Sequence, residues 1–257
     1  MPPYEIRGCT VADAPGLAYN NIGAFWESPG YKLLWTDRTL EYVTANAAKR
    51  MPRNLLNDRA QRRHQLVVDG ETGRIVGYAR WILPHRLVGE WLEAQTPAVS
   101  AEEEQEFTKA FDKADWSFLD LPGMDDHVHV AKAKYFERNN ECIELDYLAV
   151  HPDNKGRGIA SMLVGHGVAA AERMNVDIYM MAYEAGLQVY KKFGFQILES
   201  NVQDLAKWGG TGPYATYMIE KKIAKRGSQG ATFHSRVVLS AHVGKGFLVG
   251  VSTTNRF

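Results

Sequence analysis

Apolar and polar residues recur along this chain with periods that define most of its elements. Residues 6–10 have the look of a short strand, and Thr10 or Asp13 can cap the helix that follows, with Pro15 tolerated in its first turn. A helical pattern then covers residues 17–26 and stops at Ser28-Pro29-Gly30. Leu40, Val43, Ala47 and Met51 recur at helical spacing, which predicts a helix over residues 40–51 that runs up to Pro52. Residues 64–69 and 74–83 flank Asp69-Gly70-Glu71-Thr72-Gly73, a turn rich in residues that accept positive φ, and together they predict a β-hairpin closed by Pro84.

The pattern changes over residues 85–140. Ser100 and Glu103 have the spacing of a capping box, which predicts a helix to about Lys113 with the glutamates at 102–104 on a solvated face. Pro122-Gly123 and the segment Asp126-His127-Val128-His129 read as loop, followed by a helix near residues 130–138. No self-sufficient core pattern is visible there, so the segment is expected to be an insertion in one domain. Residues 142–150 are the strongest strand pattern in the chain. A helix over residues 158–174 follows, then a strand at 176–182, a helix at 186–193, and strands at 195–198 and 214–222. From residue 224 the chain is rich in Gly, Ser and Thr and has no acidic residue, which predicts one domain over 1–223 and a poorly ordered tail over 224–257.

Charge and composition narrow the function. The 257 residues hold 30 basic and 30 acidic side chains, without the cationic excess a nucleic-acid binder needs. No run of apolar residues is long enough for a membrane span, and no signal-peptide pattern opens the sequence. The two cysteines, Cys9 and Cys142, form no CxxC pair, as expected in a reducing, cytoplasmic setting, and Cys142 is expected to be a buried structural thiol. The two histidines at 127 and 129 lack a third ligand set, so no metal is expected.

The most informative stretch is LAVHPDNKGRGIASMLV. A strand ends at Val150, a turn carries Gly156 and Gly158 between the cations Lys155 and Arg157, and a helix opens at Ile159 and Ala160. Glycines permit close backbone approach, and the unpaired N–H groups of a first helical turn favour a pyrophosphate. A Walker loop would need Gly-Lys-Ser/Thr, and the dinucleotide fingerprint would need glycine at Ser161, so neither fits.

With Leu148, Val150 and Pro152 ahead of Gly158 and Ala160, this stretch resembles the [QR]-x-x-G-x-[GA] signature of the GNAT acetyl-CoA-dependent N-acetyltransferases. Lys155 stands at the first motif position in place of Gln or Arg. AGLQVYKKFGF is similar to the family's second motif through Tyr190, Gly194 and Phe195, with Glu184 where many members carry Asn or Ser. The words AFWESPGY and WILPHR resemble a fungal branch of the family. The resemblance implies an α/β GNAT fold, a mixed and mostly antiparallel sheet with helices on both faces that splays where the cofactor enters. It implies acetyl-CoA as co-substrate, bound by residues 148–150 (Leu148, Ala149, Val150), by the turn from Lys155 through Gly156, Arg157 and Gly158 to Ile159 and Ala160, and by Glu184. By position it implies that a backbone N–H near residues 148–150 meets the thioester carbonyl and that Tyr190 protonates the CoA sulfur.

Two carboxylates on the strand, Glu144 and Asp146, are two apart and are expected to share a face with Leu148 and Val150. They are candidates to deprotonate or anchor the acceptor amine, or else form an exposed acid and a pair with Arg80 or Arg53. Phe25, Trp26 and Tyr31 fall where the fold borders the acceptor, and aromatics there suit a ring-bearing or apolar amine. The expected reaction is direct acetyl transfer to a primary amine of a small molecule, by a monomer or homodimer. The alternative is a non-catalytic acyl-CoA-binding module that keeps the cradle without turnover.

Overall fold

The computed structural model describes residues 4–135 and 141–224. β1 (Tyr4–Gly8), β2 (Arg62–Asp69), β3 (Ile75–Ile82) and β4 (Ile143–Val150) are joined by successive antiparallel pairings. β5 (Ile178–Tyr183) runs parallel to β4, and β6 (Gln196–Asp204) and β7 (Pro213–Lys221) complete a seven-stranded sheet in the order β1-β2-β3-β4-β5-β7-β6. The sheet is mixed and mostly antiparallel, as expected.

Helices cover both faces because the strands alternate apolar residues toward two different layers. On one side α6 (Ile159–Met174) and α7 (Leu187–Lys192) bury Trp81, Ile143, Leu145, Leu163, Ile178 and Ile219 in one cluster. Gly167 lets α6 approach: a Cβ there would lie 2.0 Å from the Trp81 indole. On the other side α1 (Ala14–Trp26) and α3 (Leu40–Leu56) close over Leu17, Leu55, Leu66 and Tyr78. On that side α5 (Asp126–Lys134) also packs Ala131 against Tyr179 and Met218.

Several elements differ from the sequence pattern. α3 passes through Pro52 to Leu56. The proline forfeits one backbone bond, and burial of Met51, Pro52 and Leu55 in the same turns offsets the loss. Pro29 does not merely break the chain; it opens a short helix, α2 (Pro29–Leu34), from the first-turn position where proline is tolerated, burying Tyr31 and Leu34. Residues 126–129, expected as loop, begin α5, because His127 Nε2 meets Thr216 Oγ1 at 2.9 Å and Nδ1 meets the Gln203 amide. The helix expected near 130–138 is thus centred earlier, with residues 136–140 outside those described. The first strand begins and ends two residues earlier than expected. β6 extends to Asp204 because its backbone pairs with β7 throughout, although its side chains are mostly polar and exposed. The tail expected over 224–257 lies outside the described residues beyond Ala224.

Residues 100–119 support α2 and α3. α4 (Ala101–Lys113) has the expected box: Ser100 N donates to Glu103 Oε2 (3.0 Å) and Glu103 N to Ser100 Oγ (3.2 Å). Its Phe111 ring lies under the guanidinium groups of Arg50 and Arg53 at 3.8 and 4.3 Å. Burial lowers the Arg50 pKa to about 10. Trp116 then packs on Trp35 at 5.0 Å, and Leu119 N donates to Leu34 O, which fixes the C-terminal end of α2.

Candidate active site

β4 and β5 pair only at Ile143 with Ile178 and Glu144 with Tyr179. Beyond that point β4 continues to Val150 without a β5 partner, so the sheet splits and leaves a strand edge of backbone groups facing the gap. Asn20 of α1, fully buried, ties the far end of this edge in place. Its Nδ2 donates to Ala149 O (3.3 Å), and its Oδ1 accepts from His151 N (3.1 Å).

A bulge in β4 decides which side chains face which layer. Arg80 pairs with Tyr147 and Trp81 with Leu145, so Asp146 is the extra residue. The expectation that Glu144 and Asp146 share a face with Leu148 and Val150 is therefore wrong. Leu148 and Val150 pack with the α6-side cluster, like Ile143 and Leu145. Glu144, Asp146 and Tyr147 turn to the α1 and α5 side, where the Arg80 guanidinium lies 5.6 Å from the Tyr147 ring.

Both carboxylates are paired there. Arg80 Nε and Nη2 reach Asp146 Oδ2 at 2.5 Å, so the partner is Arg80, while Arg53 lies on Phe111. Burial alone would raise the Asp146 pKa, but Arg80 and then Lys132 outweigh it and hold the carboxyl below its usual range. Glu144 Oε1 meets Lys132 Nζ of α5 at 3.1 Å. Here burial dominates and pushes the Glu144 pKa up, with Lys132 offsetting only part. Of the two, Glu144 holds a proton more readily, and it stands at the last paired position, the apex of the split.

The turn after β4 has the geometry of an anion cradle. Gly156 and Gly158 have φ of +77° and +81°, and a Cβ at either would meet nothing within 4 Å. Open ground therefore lies over the N-terminus of α6, flanked by the exposed Lys155 and Arg157, and the residues fit a bound pyrophosphate. Ile159 is buried in the α6-side cluster and Ala160 is half-buried beside it. Tyr190 of α7 belongs to that same cluster, 5% exposed, with its ring 5.7 Å from Phe195 and against Gly186. Burial raises its phenol pKa, so the hydroxyl carries its proton at neutral pH. The Glu184 carboxylate accepts from Tyr217 OH.

Rings gather on the opposite face of the split. Phe25, at the end of α1, lies 5.4 Å from Tyr147 on β4 and 6.5 Å from Tyr183 on β5. Tyr31 is 6.3 Å from Phe25, and Trp26 is 6.4 Å from Tyr31. The structure thus brings Phe25, Trp26 and Tyr31 together, as the sequence suggested, and adds Tyr147, Tyr183, Tyr214, Lys132 and Asn20, which it did not. Only Asn20 left a trace in the sequence, a polar residue on the buried side of an apolar helix. The others depend on the bulge and on distant strands. Among the described residues no group of three or more His, Cys, Asp or Glu side chains could hold a metal, and no helix is long and apolar enough to cross a membrane.

The sheet split, the glycine turn and the N-terminus of α6 thus lie in succession along β4 and the turn after it. The profile of the acetyltransferase (GNAT) family matches residues 28–195, and the chain belongs to that family. A histone acetyltransferase HPA2-related acetyltransferase from Corynebacterium glutamicum is similar in structure, with 20% identity over 88% of this chain and 99% of that one and a TM-score of 0.52. The C-terminal condensation domain of Ebony, solved with beta-alanyl-dopamine, has 14% identity over 87% and 100% of the two chains and a TM-score of 0.54. A Drosophila melanogaster polyamine N-acetyltransferase that forms N-acetylagmatine has 12% identity over 86% and 100%, with a TM-score of 0.51. These likenesses establish the fold. No curated protein matches the sequence.

Proposed function

We propose that this protein transfers an acetyl group from acetyl-CoA directly to a primary amine of a small molecule. The observation that carries the reading is the unpaired edge of β4 leading into the open glycine turn at the α6 N-terminus. Lys155, Arg157 and the first N–H groups of α6 hold the pyrophosphate, with Gly156, Gly158, Ile159 and Ala160 shaping the turn. Glu184, which accepts from Tyr217 OH, supplies a further contact to the cofactor.

Acetyl-CoA supplies the activated thioester. The edge at residues 148–150, without a strand partner on the β5 side, offers backbone N–H groups to polarise its carbonyl. Glu144 takes a proton from the acceptor nitrogen, directly or through water, as that nitrogen bonds to the acyl carbon and the carbon–sulfur bond breaks. Tyr190 gives its proton to the departing thiolate and recovers one from solvent. Asp146, locked to Arg80, serves as an electrostatic support rather than as the base. Cys9 and Cys142, buried and in no disulfide among the described residues, accord with a reducing, cytoplasmic setting. The words AFWESPGY and WILPHR support placement in a fungal branch of the family. We further infer that the protein acts without nucleic acid or membrane, as a monomer or homodimer.

The ion-paired state of both β4 carboxylates favours one rival, a CoA-binding module without turnover. CoA-thiol release from acetyl-CoA across an amine panel separates the two. Amine-dependent release is expected. Tight CoA binding with no release from any amine would establish the module.

A further inference from the structure

Resting on the amine-transfer reading, we infer that the acceptor is a monoamine carried on a flat aromatic body. It is held by the ring faces of Phe25, Tyr147 and Tyr183 and not by a dedicated carboxylate. Phe25 touches rings from both strands that border the split, so a ring from α1 spans the gap on the face opposite α6. Tyr183, at the last position of β5, is 40% exposed and presents a ring at the lip of this wall. Its orientation is set from behind. Asp125 Oδ1 accepts from Tyr214 OH at 3.2 Å, so the Tyr214 oxygen is left to accept from Tyr183 OH at 3.3 Å.

Charge points the same way. The carboxylates that β4 turns toward this face each carry a cation partner, Arg80 on Asp146 and Lys132 on Glu144. A polyamine, with several ammonium groups to neutralise, finds two local negative charges already cancelled. A single ammonium can instead rest on ring faces by cation–π attraction. That weaker grip suits the chemistry. A standing ion pair with a carboxylate would stabilise the ammonium and raise the amine pKa, whereas Glu144, paired with Lys132, meets the nitrogen only to take its proton. A flat aromatic body adds ring-on-ring contact with the same wall.

Kinetics with phenethylamine, propylamine and spermidine test this. Phenethylamine is expected to exceed both others in kcat/KM by at least tenfold. Phe25→Leu and Tyr183→Leu should raise KM for phenethylamine about tenfold more than for propylamine, with CoA affinity and melting temperature held. Tyr214→Phe keeps the ring but cuts the hydroxyl chain, and should raise KM for phenethylamine a few-fold. Preference for spermidine, or equal KM changes for phenethylamine and propylamine, overturns the ring wall while leaving the transfer reading intact. If no amine releases CoA, the transfer reading fails, and calorimetry decides the wall separately. Phenethylamine binding that is weakened in Phe25→Leu supports the wall, and no binding to the unaltered protein overturns it.

Discussion

One strand, β4, shows two different chemistries on its two faces. Toward α6 it buries Ile143 and Leu145, with Trp81 of β3 fully enclosed beside them. Toward α1 and α5 it presents Glu144, Asp146 and Tyr147 among cations and rings. The apolar face holds the sheet together through area removed from water, about 25 cal/mol per Å². The polar face gains little net stability, because desolvation of buried ions consumes most of their attraction.

Replacement of Trp81 by Ala should do the most damage, about 3–5 kcal/mol in denaturant unfolding, since the indole is fully buried against Gly167. A loss under 1 kcal/mol would deny the α6 face its structural role. On the other face, Asp146→Asn strands the Arg80 charge and should cost about 3–5 kcal/mol or slightly less. The double variant Arg80→Met with Asp146→Leu should regain most of that. The folded Asp146 pKa lies below its ordinary value of about 3.9, so its contribution is complete above that pH and is lost as pH falls through the lower folded value. Acid unfolding followed by circular dichroism should show this component in the unaltered protein and not in Asp146→Asn.

Tyr190→Phe should leave CoA affinity intact and lower kcat by roughly 10²–10⁴-fold, the usual reach of proton transfer. Glu144→Gln should lower kcat as well and erase the acid limb of the pH–rate profile, a limb displaced upward from ordinary glutamate. Unchanged turnover in both would remove the proposed acid and base. Gly158→Val forces a β-branched residue to φ of +81°, where no neighbour blocks it but the backbone disfavours it. CoA binding measured by calorimetry should weaken about tenfold, or 1.4 kcal/mol. The smallest effect belongs to a site on neither face: Ser100→Ala should cost about 1 kcal/mol through the α4 cap and leave CoA affinity unchanged.

Glycines and periodicity were enough to read the hairpin, the positive-φ turn after β4 and the Ser100 cap. Each is encoded within a few consecutive residues, where positive φ or a three-residue spacing has one local meaning. The course of α3 past Pro52 and the helical start at Asp126 were misread for the converse reason. Their outcome was set by burial and by partners on β6 and β7, far away in sequence. The candidate site divides along the same line. Gly156 and Gly158 could be read directly, whereas Lys132, Tyr183 and Tyr214 join the site only through the packing of α5, β5 and β7.

The sequence by itself determined the order of the strands and the glycine turn after β4, because these follow from short-range backbone preferences and hydrophobic period, while its motifs carried the resemblance to the family. The tertiary structure decided which way the β4 carboxylates face. A bulge of one residue reverses the alternation of a strand, and strand pairing, not the local sequence, places that extra residue at Asp146.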